Sequence, residues 1–291
     1  MGESRANCSY RRLMRWSLSD IPWADFDPAK VDAELLKIVK AASLVESNGA
    51  DYATYLCNVF KSDPEFQVAA RAWAKEEIQH GRALAAWARR ADPSFDFEKC
   101  FERFLSGFRL PLQSEQSVRG SLSGELVARC IVEAGTSSYY AALGEVAREP
   151  VLRHICQRIA ADELRHYKLF YRHLKRYLEQ ERIGRLRRAL VALGRIGESE
   201  DDELAYAYYS ANAGAEPYDR GRWARAHTSR VCACYRRAHM QRAVAMIFKA
   251  AGLKPHGLLA RLASAAGYRF IKSRALRAGE GYSAVSAATE S

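Results

Sequence analysis

Apolar residues along most of this chain recur at intervals of three and four, the period of helices that bury one face. Four long segments carry the pattern: 28 to about 61, 64 to about 91, about 121 to 148, and 150 to about 182, all rich in Ala, Leu, Glu and Arg. Asp27-Pro28 and Asp63-Pro64 each read as an N-cap followed by proline at the first helical position, where its missing N–H costs nothing. Two of the helices are predicted to begin there. Beyond residue 183 the signal weakens to an acidic break at Glu198–Asp202 and helical stretches near 203–213, 219–250 and 256–277. Tyr206, Tyr208 and Tyr209 on the first of these are expected in a core or interface. The expected fold is all-α: an N-terminal extension (1–27), a four-helix bundle (28–182), additional helices packing on it (183–278) and a flexible tail (279–291) rich in Ser, Ala and Gly.

A length of 291 residues with 48% hydrophobic content supports a substantial core. Met1-Gly2-Glu3-Ser4-Arg5 leads into Arg11, Arg12 and Arg15 without an apolar signal core, and no run of about 18 uncharged apolar residues exists, so a cytoplasmic protein without a transmembrane segment is expected. Ala6 excludes the Gly2 myristoylation motif. Seven cysteines, an odd number with one close pair at Cys232 and Cys234, read as reduced thiols, not as a disulfide framework or a two-pair metal knuckle. The net charge of +11 favours encounters with acidic partners. Nucleic acid is not among those expected, because the arginines are dispersed and no reading motif accompanies them. The densest cluster, Arg182, Arg185, Arg187 and Arg188, reads as a solvated helix face.

An internal duplication carries the chemistry. Val45-Glu46 recurs 87 residues later as Val132-Glu133, and Tyr52 as Tyr139; Pro64, Glu77 and His80 recur 86 residues later as Pro150, Glu163 and His166. Each half thus has a lone mid-helix Glu, then a proline that opens the next helix, then Glu-x-x-His 13 residues after that proline. Residues three apart on a helix share a face, so Glu77 with His80, and Glu163 with His166, can each offer an oxygen and an imidazole to one ion. A Glu on each of two helices and Glu-x-x-His on each of two others is the constellation of di-iron and di-manganese carboxylate bundles. Glu46 and Glu133 lie in apolar runs, Ala41–Val45 and Cys130–Val132, so both should be buried, where four unpaired carboxylates would repel one another and two divalent cations would neutralise them. The predicted metal ligands are Glu46, Glu77, His80, Glu133, Glu163 and His166, with two iron ions favoured and manganese the alternative. Glu76 and Asp162 are candidates to orient the histidines.

At these residues, over about 40 to 182, the chain resembles the soluble acyl-acyl carrier protein desaturases, ferritin-like di-iron enzymes. Ala70-Arg71-Ala72-Trp73-Ala74-Lys75-Glu76-Glu77-Ile78-Gln79-His80-Gly81 is similar to that family's first metal helix, and Ile159-Ala160-Ala161-Asp162-Glu163-Leu164-Arg165-His166 to its second. The resemblance implies a ferritin-like bundle in which Glu77 and Glu163 bridge two metals, Glu46 and Glu133 are terminal ligands, and His80 and His166 serve one metal each. It places Thr136 beside the oxygen-binding face as a catalytic residue, and Trp73 at a tryptophan position of the metal helix that also suits core packing. Gln79 departs from the family's usual basic residue, Ser137-Ser138-Tyr139 differs in chemistry, and the C-terminal third aligns with nothing in the family.

The implied activity is an O₂-dependent oxidoreductase acting on C–H bonds of a fatty-acyl-like substrate. Its two electrons come from an acidic donor such as a ferredoxin, its substrate rides on an acyl carrier protein, and a homodimer is expected. Two other classes share the ligands: iron oxidation or peroxide removal as in ferritins and rubrerythrins, and a non-catalytic scaffold with a structural metal site. The chain's basic charge, its length and its lack of two C-x-x-C pairs stand against the first.

Overall fold

The computed structural model describes residues 15–198 and 202–289, from 276 onward as backbone only. Cys8, the first basic residues and the end of the predicted tail (290–291) lie outside the described residues, as do 199–201 of the predicted acidic break. Every described regular element is helical. Three 3-10 turns, Leu18–Asp20, Trp23–Asp25 and Pro28–Lys30, precede α1 (Ala33–Ser47), α2 (Gly49–Val59), α3 (Pro64–Ala91), α4 (Phe97–Gly107), α5 (Leu122–Val146), α6 (Pro150–Glu181) and α7 (Arg185–Gly197). The remaining helices are α8 (Asp202–Asn212), α9 (Arg220–Cys234), α10 (Arg237–Ala250) and α11 (Leu258–Thr289).

The prolines that start α3 and α6 act as the sequence predicts: Asp63 accepts the Phe66 N–H, and Glu149 that of Leu152. The first predicted helix is divided instead. Asp27 caps only the 3-10 turn, and Asp32 caps α1 by accepting from Glu34 and Leu35. The helix then breaks at Asn48, whose N–H turns to Val45 and Glu46, before α2 resumes at Gly49. That glycine sits where a Cβ would lie 2.9 Å from the Ala74 carbonyl oxygen, so the break lets α2 approach α3 closely. The 219–250 stretch is likewise two helices, because the His239 ring accepts the Arg236 N–H at 3.0 Å and caps a new start. The α4 helix went unread between the predicted segments, although Phe97, Phe101, Phe104 and Phe108 stack along one face. The last helix continues through Thr289, beyond the predicted boundary at 278. Its Ala-rich composition favours helix, and glycine lowers that propensity without forbidding it.

Helix α3 packs on α1 and α2, α5 packs on α6, and α3 meets α6 between the pairs. Two apolar cores fill the spaces. One gathers Ile38, Leu44, Leu84, Trp87, Leu143 and Ile155, the other Leu56, Phe60, Phe66, Leu126, Phe170 and Leu174. On α3 and α6 the residues between the two cores are the Glu-x-x-His pairs, and on α1 and α5 they include Glu46 and Glu133. A polar layer therefore crosses the molecule between two dry ones. Helices α8 to α10 pack on α1 and α5, burying Tyr208 with Tyr206 and Tyr209 against it. No described helix is long and apolar enough to cross a membrane.

His227 on α9 is buried against the Tyr208 ring, 5.5 Å away, and burial with the nearby Arg230 charge pushes its pKa down to about 4. A depressed imidazole favours the native state while it is neutral. Stability from this residue is complete above the unfolded value near 6.5 and is lost as pH falls toward 4, by roughly 3 kcal/mol in all. Urea titrations at pH 7 and pH 4.5 should show His227→Gln losing less stability across that interval than the wild type; equal losses would refute the assignment.

Candidate metal centre

The structure brings the six predicted ligands together. Glu46, Glu77, His80, Glu133, Glu163 and His166 are all buried, and they supply two overlapping groups: Glu46, Glu77, His80 and Glu163, and then Glu77, Glu133, Glu163 and His166. Within each group one potential ligand atom per residue lies within 4.8 Å of the others. Glu77 and Glu163 belong to both. His80 Nδ1 stands 3.3 Å from Glu163, 3.6 Å from Glu46 and 3.8 Å from Glu77; His166 Nδ1 stands 2.9 Å from Glu77, 3.6 Å from Glu133 and 3.9 Å from Glu163.

The remaining bonds fix which atoms face inward. His80 Nε2 meets Asp162 at 3.2 Å and His166 Nε2 meets Glu76 at 2.7 Å, so each imidazole is held by an acid from the opposite half of the repeat and turns Nδ1 to the centre. Arg165 reaches both of those acids, Glu76 at 3.2 Å and Asp162. Tyr140 donates to Glu46 Oε1 and Thr136 to Glu163 Oε2, both at 2.6 Å. Six buried atoms, Glu46 Oε2, Glu77 Oε1, His80 Nδ1, Glu133 Oε2, Glu163 Oε1 and His166 Nδ1, then face one another without a well-directed hydrogen bond, His166 Nδ1 and Glu77 Oε1 as near as 2.9 Å. A buried polar atom without a well-made hydrogen bond costs about 1–3 kcal/mol, so six in one place favour a shared partner, whether protons or cations.

Electrostatics leads to the same need. Burial, with the Glu77 charge, pushes the Glu46 carboxyl well above the usual range, and burial with the Glu163 charge does so for Glu133. Burial also opposes ionisation of Glu77 and Glu163, but the imidazoles outweigh it and hold both low. Both histidines are raised: the surrounding carboxylates outweigh the desolvation that would keep them neutral. Without metal, the site balances its charge by taking up protons; two divalent cations would achieve the same with their release.

Three contributors escaped the sequence reading. Trp16 lies in the segment read as an N-terminal extension; it is buried, donates to Asp162 at 2.7 Å and stacks over His80 with ring centroids 6.0 Å apart. Tyr140 carries no motif. Arg165 had a signal, since it falls three residues after Asp162 and follows Glu163 within the metal helix. Trp73 packs in the second core, its ring nearly perpendicular to that of His166 with centroids 6.4 Å apart.

Helix α1 can bring Glu46 to His80 because Gly81 lies at the crossing. A Cβ there would press on Ser47 Oγ and come within 2.7 Å of the Ser47 nitrogen and 2.9 Å of the Ser43 carbonyl oxygen. Gly81→Ala should therefore destabilise the fold by about 1–3 kcal/mol and weaken metal retention by drawing Glu46 away. Calorimetry and metal quantification check this; unchanged values in both would show that the crossing is loose.

Fold and site define the class: an all-helical protein with a buried, duplicated carboxylate–histidine cluster able to hold metal. Comparison with protein-family models and with curated proteins finds no match to this chain.

Proposed function

We propose that the cluster holds two iron ions in a ferritin-like four-helix bundle, and that the protein is an O₂-dependent oxidoreductase acting on C–H bonds of a fatty-acyl-like substrate. The observation that carries the metal assignment is the convergence of six buried ligand atoms, one from each predicted residue, in two overlapping groups without well-directed hydrogen bonds among them. The step to oxidation of an acyl chain rests on the sequence resemblance.

Glu77 and Glu163, common to both groups, would contribute to holding either ion; Glu46 with His80, and Glu133 with His166, would complete the two ends. Bound iron supplies oxygen activation and one-electron steps. The chain's own residues hold ligand geometry and manage protons. Asp162 and Glu76 keep the histidines oriented, with Arg165 offsetting their charge. Asp162 itself is held down at about 2: burial would raise it, but His80, Arg165 and Trp16 outweigh burial, so it stays an acceptor across the physiological range. Thr136, half-buried and donating to Glu163, is the hydroxyl that would pass a proton at the site. Two electrons come from a separate donor, for which an acidic ferredoxin suits the +11 charge, and an acidic acyl carrier suits it equally.

Protein purified from iron-supplemented cells should carry close to two irons per chain, and a Glu77→Ala/Glu163→Ala variant close to none. Reduced protein should then consume oxygen faster when an acyl carrier substrate is added. Folded wild-type protein that stays metal-free under iron-replete conditions would defeat the metal assignment. Iron-loaded protein that oxidises Fe(II) without any response to acyl substrates would move the reading to iron oxidation.

A further inference from the structure

Helix α7 exposes the wrong face for a helix surrounded by water. Leu186, Leu190 and Leu193 are 76%, 60% and 65% exposed, although a surface helix normally turns its apolar stripe inward. On a 3.6-residue wheel the three fall within about 60° of one another, with Arg185 and Arg187 about 100° to either side. The inward face is occupied by other residues: Ala192 is buried, Val191 packs in the second core, and Arg188 lies over the backbone at Gly252. The orientation of the helix is thereby fixed, so the leucines cannot be buried by rolling it.

We propose that α7 is a membrane-docking element that lies in the headgroup region of an anionic lipid surface. Three features favour lipid over other occupants. The stripe is one helix wide and flanked by arginines, the form in which amphipathic helices enter an interface while their guanidiniums stay with the phosphates. On the solvent side the helix carries Arg185 and Arg187, both exposed, and it holds no acidic residue, so its outer face complements an anionic surface. The whole chain, at +11, is drawn the same way. The docking needs neither metal nor a particular reaction.

Sedimentation with vesicles of pure phosphatidylcholine, and of phosphatidylcholine mixed with phosphatidylglycerol, tests the proposal. The full chain should pellet with the anionic vesicles only, and less so at high salt. Leu190→Glu should weaken that binding by at least about tenfold and Arg185→Glu by a smaller factor, with helix content and metal content unchanged because both side chains face solvent. Failure to pellet with anionic vesicles, or binding equal in wild type and Leu190→Glu, would overturn it. So would a dimer that Leu190→Glu dissociates in sedimentation velocity while vesicle binding stays the same, which would assign the stripe to a second copy of the chain.

Discussion

Glu133→Gln is expected to make the metal-free protein more stable and the metal-loaded protein less so. In the wild type, the Glu133 carboxyl is pushed above its unfolded value by burial and then by the Glu163 charge. A carboxyl raised in the native state costs stability once pH exceeds its unfolded value near 4.5, and the cost grows until the folded value is passed. Glutamine matches the neutral acid in shape and never ionises. The melting temperature of the apo variant should therefore exceed that of the apo wild type by a margin that widens as pH rises above the unfolded value. With metal the order reverses. Ligand present at about a thousand times its dissociation constant adds about 4 kcal/mol to the wild type, which the variant, lacking an anionic oxygen at that end, largely forfeits. Differential scanning fluorimetry of both proteins, with chelator and with Fe(II) or Mn(II), reads both signs at once. A variant less stable in chelator, or equally stabilised by metal, would show that Glu133 is an ordinary structural acid.

The second large effect lies far from any ligand. Glu149 is buried and serves three elements: it caps α6 by accepting from Leu152 at 2.7 Å, accepts from Trp87 Nε1 at 2.7 Å, and accepts from the Asp27 N–H at 3.2 Å. Its removal takes away a helix cap, worth about 1 kcal/mol, and leaves a fully buried indole N–H with no acceptor, a further penalty of about 1–3 kcal/mol, before the lost Asp27 contact is counted. Glu149→Ala should thus lose about 3–5 kcal/mol in urea unfolding. Trp87→Phe removes the donor together with the need for an acceptor and should lose clearly less. If the two lose the same amount, packing of the indole and not this carboxylate sets the cost. Because Glu149 also holds the segment that carries Trp16 toward Asp162, metal retention should weaken in Glu149→Ala even where the fold survives.

Much of the candidate site is legible in the sequence because its information is local and repeated. The i, i+3 spacing of Glu77 with His80 and of Glu163 with His166 sets which side chains share a helix face whatever packs against it. The recurrence of that spacing after Pro64 and after Pro150 pairs the two halves without any knowledge of their docking. Helix ends governed by their own caps, at Asp63 and Glu149, fall where the prolines place them. The break at Asn48 and the new start at Arg236 were missed because each depends on a contact that periodicity does not encode: the close approach of Gly49 to α3, and the His239 ring on a backbone N–H.

What only the tertiary structure decided is which groups meet across the halves. The chain could nominate Glu76 and Asp162 as histidine partners, but not that each serves the histidine of the other half, since that exchange requires α3 and α6 to cross at the level of the ligands. Trp16 and Tyr140 reach the site over sequence separations of 146 residues to Asp162 and 94 residues to Glu46, distances at which no pattern along the chain carries information. The leucines of α7 make the same point from the outside. Their spacing of four and three residues puts them on one face of a helix, and only packing, by burying Ala192 and Val191 on the other, turned that face toward solvent. Sequence determined the chemistry each helix face could offer, because side-chain direction is set by the local backbone; the fold determined which faces were opposed, because that follows from how the elements share one interior.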